Sequence, residues 1–507
     1  MISKQAETNY INRKLRDSDK AKRFSEKAID AKLKKLGAHF YTKPRLNQKV
    51  GFLLGVKYSK YLPLFDMGTG KTKLSLDLFN HFKRTKHIKS CLVLVPNICN
   101  VGEWQDETKL HAPNLNIIGL DGNKEEREQL LKEDYDVYAV TYAGLLHLTC
   151  KKVELDKKNK MVPDINKIKF FINKFDMIVF DESTHIKNHR SLSYKVGYEI
   201  AKKLQYKFCL TGTPHGRDVQ DLWSQFKIID NGETLGSTLG LFRAIFFTQN
   251  KNYWGGYEYN FKKHRTELLY RTLKHYSIHY STEECMDLPE RVYVKIPIIF
   301  SDEIFEYYEK YIELIQEAHG NYQILENAFI NMRQLTSGYR TLKDEDNKKE
   351  YIIFKEQPKI DLIIEKINEV PKSSKIVIFN IYKQSGKILC EALKKNKIKY
   401  TRLYSATKKK KEVIRDFKKN DSIKVLVSSE SGAYGLNLQI ANYVFFFESP
   451  SSPIVRKQME KRCHRFGQKK KVFIYDFYVK NSVDEKILTY LKEGLDLYKA
   501  IIRGEMI

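Results

Sequence analysis

Short apolar runs recur along the chain, each closed by a polar residue, glycine or proline. In the first half they are CLVLVP (91–96), YDVYAVTY (135–142), FDMIVFDE (175–182) and YKFCLTGT (206–213). Runs of this kind predict strands buried on both faces of a parallel sheet. The stretches between them carry apolar positions at helical spacing, so strand–helix–strand units follow. The rhythm returns in KIVIFN (375–380), YTRLYS (400–405), IKVLVSS (423–429), YVFFFE (443–448) and VFIYDFYV (472–479). Residues of about 230–355 have another texture, rich in Tyr, Glu and Lys, with helical patterns such as DEIFEYYEKYIELIQEAH (302–319). The first 40 or so residues are charged and helical in pattern, with KAKRFSEKAIDAKLKKLG (20–37) as an amphipathic piece. The predicted fold class is α/β, with two parallel-sheet lobes joined by a mainly helical section.

Composition narrows the partners. Hydrophobic residues make up 42% of the 507, enough for real cores and too many for a disordered chain. Lysine and arginine outnumber the acids 90 to 62, a formal charge of +28 spread along the chain. That balance points to an anionic partner, nucleic acid first. The 7 cysteines include no CxxC pair, so neither a structural zinc ribbon nor a disulfide framework is expected. No signal-like N-terminus and no apolar stretch of about 18 residues is present, so no membrane is expected. The expected location is intracellular: cytoplasmic for a bacterial or phage protein, nuclear for a eukaryotic one.

The strongest local signal is LPLFDMGTGKTKLSL (62–76). An apolar strand enters a glycine turn, and Lys71 and Thr72 open a helix. Gly68 and Gly70, flanking Thr69, let backbone N–H groups curl toward phosphates, and the helix N-terminus adds its dipole. Lys71 is placed to reach the β- and γ-phosphates, and the Thr72 hydroxyl to hold Mg²⁺. Phe65 stands where the full phosphate-loop pattern has glycine. A Mg–ATP site also needs a carboxylate for the metal and a base for water. Asp181 and Glu182, closing the run 175–182, supply them in that order. Thr211 and Thr213 end the next strand, where neutral hydroxyls can couple this site to a second ligand. In QMEKRCHRFGQKKK (458–471), Gln458, Arg462 and Arg465 fall at spacings that put them on one helical face. On spacing alone the favoured reading of that face is a solvated basic helix end, ahead of an anion site.

Taken in order, these stretches resemble the motifs of superfamily-two helicase-like ATPases, and within them the Swi/Snf family of double-stranded DNA translocases. RLNQKVGFLL (45–54) is similar to that family's adenine-recognising motif, with Gln48 as its glutamine. DMGTGKT resembles motif I, LVLVPNICNVGEW (92–104) motif Ia and VTYAGLL (140–146) motif Ib. DESTHIKN (181–188) resembles motif II, LTGTPHGRDVQDLWS (210–224) motif III, SSESGAYGLNL (428–438) motif V and QMEKRCHRFGQ (458–468) motif VI. The resemblance implies two RecA-like lobes binding ATP and Mg²⁺, with Gln458 at the nucleotide and Arg462 and Arg465 stabilising the transferred phosphoryl group. It also implies a monomeric motor on nucleic acid, double-stranded DNA first, touched by Pro96, Asn97, Thr141, Thr407 and Ser429. The expected boundaries are 1–39 for a basic helical extension, 40–230 for the first lobe, 231–355 for the helical linker, 356–490 for the second lobe and 491–507 for a tail.

Four positions depart from the family pattern. Thr184 stands for the histidine of motif II, Glu430 for an arginine and Ala433 for a glycine in motif V, and Glu448 for an aspartate after it. They mark a divergent member, in keeping with a phage or viral source. Three functions remain open at this point: a duplex translocase, a strand-separating DNA or RNA helicase, and an ATP-gated nucleic-acid scaffold with little turnover. The lysine runs 408–411 and 469–471 are additional candidates for DNA contact.

Overall fold

The computed structural model describes residues 4–155, 158–212, 218–251, 256–317, 321–343, 349–404, 407, 410–429 and 436–494. The chain divides into two units, Met1–Met286 and Asp287–Ile507. Each is built around one parallel sheet, as the apolar runs predict.

The first sheet runs in the order Ser277–Tyr280, Lys60–Phe65, Tyr206–Leu210, Met177–Asp181, Cys91–Val95, Val137–Thr141 and Ile117–Gly119. All of its neighbouring strands are parallel. Leu92 to Val95 and Met177 to Phe180 are fully buried, which is why their sequences show no alternation. The Lys60–Phe65 strand lies beyond Tyr206–Leu210 and Met177–Asp181 from its sequential successor, Cys91–Val95. Strand order therefore reverses there, and a crevice opens at the carboxyl ends where ligands bind in such sheets.

The second sheet runs Arg291–Ile298, Val472–Val479, Ala441–Phe446, Lys375–Phe379, Val425–Ser428 and Tyr400–Leu403, again all parallel. Helices Asp302–Glu317 and Tyr322–Leu335 form a satellite core in which Ile304, Tyr308, Phe329 and Leu335 pack with Val483 and Ile487.

The section expected as a separate linker over 231–355 is divided between the units. Its first part adds the Ser277–Tyr280 edge strand to one sheet, and its later part adds the Arg291–Ile298 edge strand to the other. It also carries two antiparallel hairpins, Phe247–Lys251 with Tyr257–Phe261 and Tyr339–Lys343 with Lys349–Ile353. The N-terminal extension belongs to the first unit. Ile29 and Leu33 are buried in its core, the Tyr10 hydroxyl donates to Thr234 O at 3.0 Å, and Lys49 pairs with Glu26 and Asp30 at 2.8 and 2.6 Å.

Candidate active site

The glycine turn after Lys60–Phe65 adopts the conformation its residues suggest. Gly68 and Gly70 have φ of 79° and 86°, and a Cβ on Gly70 would lie 2.0 Å from Gln48 Nε2. Helix Leu46–Tyr58 grips the turn from one side. Arg45 Nη1, just before that helix, donates to Gly68 O at 3.3 Å, Asn47 Nδ2 to Thr69 O at 3.0 Å and Gln48 Nε2 to Gly70 O at 3.1 Å. A trans peptide sets N–H opposite C=O, so the N–H groups of Gly70 and Lys71 face away from that helix. Gln48 is buried, and its Oε1 accepts from Arg45 N at 2.8 Å. The residue expected at adenine thus also braces the phosphate loop. Lys71 Nζ donates to Phe65 O at 2.9 Å and Asp66 O at 3.3 Å, and Thr72 follows it in helix Lys71–Lys86. Thr69 is buried, its hydroxyl donating to Asp66 O at 2.6 Å.

The acid pair ends the Met177–Asp181 strand. Asp181 Oδ2 accepts from Trp104 Nε1 at 2.9 Å, and Oδ1 from Glu182 N at 3.0 Å. The Asp181 carbonyl accepts from the Tyr142 hydroxyl at 2.8 Å. Burial first and the neighbouring Glu182 second push the Asp181 pKa up to about 6, while Trp104 and Lys71 pull it down. Two acids crowded this way favour a bound cation. Glu182 has φ 46° and ψ 60°, a left-handed conformation that costs a non-glycine residue about 1–2 kcal/mol. Such strain persists only where the surroundings hold it.

Ser183 donates to Gln225 Oε1 at 2.6 Å, and both are fully buried. Lys187 pairs with Asp221 at 3.1 Å, and Ser224 donates to Lys187 O at 2.7 Å. The turn after the acids is thus clamped to helix Asp221–Asp230. Thr211 is fully buried and bridged to Leu64, next to the phosphate loop. Thr213 lies outside the described residues, as do Glu430 and Ala433.

Pro96, Asn97 and Thr141 gather on one rim, because Val95 and Thr141 are register partners in adjacent strands. Asn97 caps helix Ile98–His111 by accepting from Cys99 N and Asn100 N, and Thr141 caps Tyr142–Thr149 by accepting from Gly144 N at 2.9 Å. In the second unit Thr407 and Ser429 line one groove of about 910 Å³ with Lys383, Lys387 and Arg402. Of the lysine runs, Lys408 and Lys409 lie outside the described residues, while Lys470 and Lys471 contact Ser373 O and Glu290.

Gln458 and Arg462 ride on helix Pro453–Cys463, but Arg465 does not share their helical face. The helix stops at Cys463, where the His464 ring meets Pro289 O at 2.8 Å and Gly467 turns the chain at φ 93°. The helix is fixed by Arg456, a residue the sequence did not single out. Its Nε meets Glu460 Oε1 at 2.6 Å, and its Nη1 and Nη2 form a fork with the Asp476 carboxylate. Trp104, Tyr142, Ser183 and Gln225 also went unassigned to roles. Trp104, Tyr142 and Ser183 left a signal, as members of stretches already singled out, and Gln225 left none.

Among the described residues no group of His, Cys, Asp or Glu could by itself hold a metal ion, and no helix is long and apolar enough to cross a membrane.

A family model described as the SNF2-related domain matches residues 64–359, and one described as the helicase conserved C-terminal domain matches 358–467. The chain is 26% identical over 448 residues to "Uncharacterized ATP-dependent helicase MG018" of Mycoplasma genitalium, covering 86% of this chain and 39% of that protein. To "Nuclear protein STH1/NPS1" of Saccharomyces cerevisiae it is 25% identical over 478 residues, covering 87% and 33%. The chain therefore spans well under half the length of these relatives. Among solved structures, "Sulfolobus solfataricus SWI2/SNF2 ATPase core in complex with dsDNA" is matched at 24% identity and a TM-score of 0.40, over 91% of this chain and 93% of that one.

Proposed function

The chain belongs to the SNF2-related family, and from that premise we propose that it hydrolyses ATP to move along duplex DNA and displace bound factors. One observation carries the proposal. Both helices that start at the Pro96–Thr141 rim send a donor to Asp181, Trp104 from one and Tyr142 from the other. A rim suited to a nucleic-acid backbone is thus bonded to the group assigned to the metal.

Gly68, Thr69 and Gly70 cradle the phosphates, and Lys71 exchanges its two carbonyl partners for phosphate oxygens. Thr72 and Asp181 offer hard oxygen donors of the kind that would hold Mg²⁺. When bound, the ion would supply charge neutralisation on the phosphate oxygens. Glu182 orients the attacking water, and Arg462 and Arg465 stabilise charge on the transferred group. Gln48 and Gln458 contact the nucleotide, and Thr211 and Thr213 couple it to the rim. Phosphate contacts position without specifying sequence, so DNA binding is sequence-tolerant and weakens with salt. Pro96, Asn97, Thr141, Thr407 and Ser429 make those contacts, and the +28 charge attracts the duplex.

A second reading, a strand-separating helicase, is favoured by the antiparallel pair Phe247–Lys251 and Tyr257–Phe261, whose largely exposed strands offer a pin. Displacement assays separate the two. The translocase strips a triplex-forming third strand from duplex DNA in an ATP-dependent reaction and leaves a tailed duplex annealed. Unwinding of the tailed duplex at a comparable rate would establish the second reading instead.

A further inference from the structure

The peptides on the two sides of Glu182 are each bonded by one of two residues whose rings stack on each other. The Tyr142 hydroxyl donates to Asp181 O at 2.8 Å. The Tyr142 ring stacks on His185, with centroids 5.1 Å apart and planes within 11°. His185 N donates to Glu182 O at 3.0 Å, closing the loop. The two carbonyls flanking Glu182 therefore connect through one aromatic contact. Glu182 is also the residue in the left-handed conformation, so a shift in either carbonyl changes where its carboxylate points.

The outer end of this device reaches the rim. Tyr142 is buried and directly follows Thr141, the cap residue of its helix, whereas His185 is exposed. A backbone seated on the rim meets Thr141, which leads through Tyr142 both to the peptide before Glu182 and to the stacked ring of His185. Thr184, one of the positions that depart from the family pattern, lies inside this turn, and the buried tie to Gln225 comes from Ser183.

We propose that Tyr142 and His185 are positioning residues that form a clamp on Glu182 and transmit nucleic-acid engagement to it. This rests on the assignment of Glu182 to the attacking water and of the rim to DNA. The clamp acts through geometry, so it needs a flat ring at 185 and a hydroxyl at 142, and it needs no charge on the imidazole.

The test compares His185→Ala, His185→Phe and Tyr142→Phe with the parent chain. ATP turnover is measured with and without duplex DNA, together with the KM for ATP and the duplex affinity. His185→Ala lowers the ratio of stimulated to unstimulated rate by about fivefold or more, the size of an ordinary coupling between sites. Its KM for ATP and duplex affinity stay within about twofold of the parent, the separation expected of a group that touches neither ligand. His185→Phe restores the ratio, which also shows that loss in the alanine variant is not misfolding. Tyr142→Phe keeps the stack and lowers the stimulated kcat. The proposal is overturned if His185→Ala keeps the parental ratio, if its ratio falls only in step with duplex affinity, or if His185→Phe fails to restore it. A parent chain that duplex does not stimulate would overturn the translocase assignment and the clamp together. A stimulated parent beside an equally stimulated alanine variant would overturn the clamp alone.

Discussion

Replacing Glu182 by glutamine slows ATP turnover by on the order of a thousandfold while the chain still binds nucleotide, because a positioned general base contributes about 10²–10⁴-fold. Glutamine matches glutamate in shape, so the left-handed turn at φ 46° and the tie from His185 N to Glu182 O both survive. What is lost is a carboxylate able to orient water and take its proton. The phosphate loop is untouched, since Lys71 and the Gly68–Gly70 turn lie on another strand end. Single-turnover hydrolysis and the affinity for a fluorescent ATP analogue separate the two effects. Lys71→Ala contrasts with it, weakening binding as well as turnover. A loss of less than tenfold in Glu182→Gln would place water activation on another residue.

The largest stability effect is expected at Arg456. Its guanidinium is buried among Glu460, Asp476, the Ser449 hydroxyl at 2.7 Å and the Phe446 ring, whose centre is 3.5 Å from Cζ. Burial works against its charge, but Asp476 and Glu460 outweigh it and raise the pKa above the arginine value. Arg456→Met removes the cation and leaves two buried carboxylates behind. Breaking a buried pair on one side costs about 3–5 kcal/mol. Hydrogen exchange in Ala441–Phe446 and Val472–Val479 measures the loss in the full chain, and Arg456→Met with Asp476→Leu recovers part of it. Glu460 also accepts from the Tyr293 hydroxyl at 2.9 Å, which ties the edge strand Arg291–Ile298 to the same helix. The variant therefore also loosens the helix that carries Gln458 and Arg462. A change below 1 kcal/mol would show that the network is neutral to folding.

The buried strands and the phosphate loop were legible because their signals are local. An unbroken apolar run records burial on both faces, and two glycines around a threonine record a turn that reverses its peptides. Of the edge strands, Tyr400–Leu403 was legible in YTRLYS, but others were not. Ser277–Tyr280 is four residues long, and Arg291–Ile298 alternates between half-buried and exposed positions. Each becomes a strand through a neighbour far away in sequence, Lys60–Phe65 for one and Val472–Val479 for the other. The same limit hid the partners of the acids, since Trp104 and Tyr142 lie 77 and 39 positions from Asp181. Glu448 looked like an acid at a strand end. It is buried and accepts from Tyr382 N at 3.0 Å and Ser337 Oγ at 2.5 Å, so it ties the segments flanking helices Lys383–Lys395 and Tyr322–Leu335 to the sheet. Helical spacing grouped Arg465 with Arg462, but spacing carries no information on where a helix ends.

The most direct measurement of the central claim is steady-state ATP hydrolysis without nucleic acid and with single-stranded DNA, duplex DNA or RNA, at low and moderate salt. A duplex translocase shows strong stimulation by duplex DNA, reduced as salt rises and absent in Lys71→Ala and Glu182→Gln. Equal or greater stimulation by single strands or RNA, or turnover no higher than in those two variants, would contradict it.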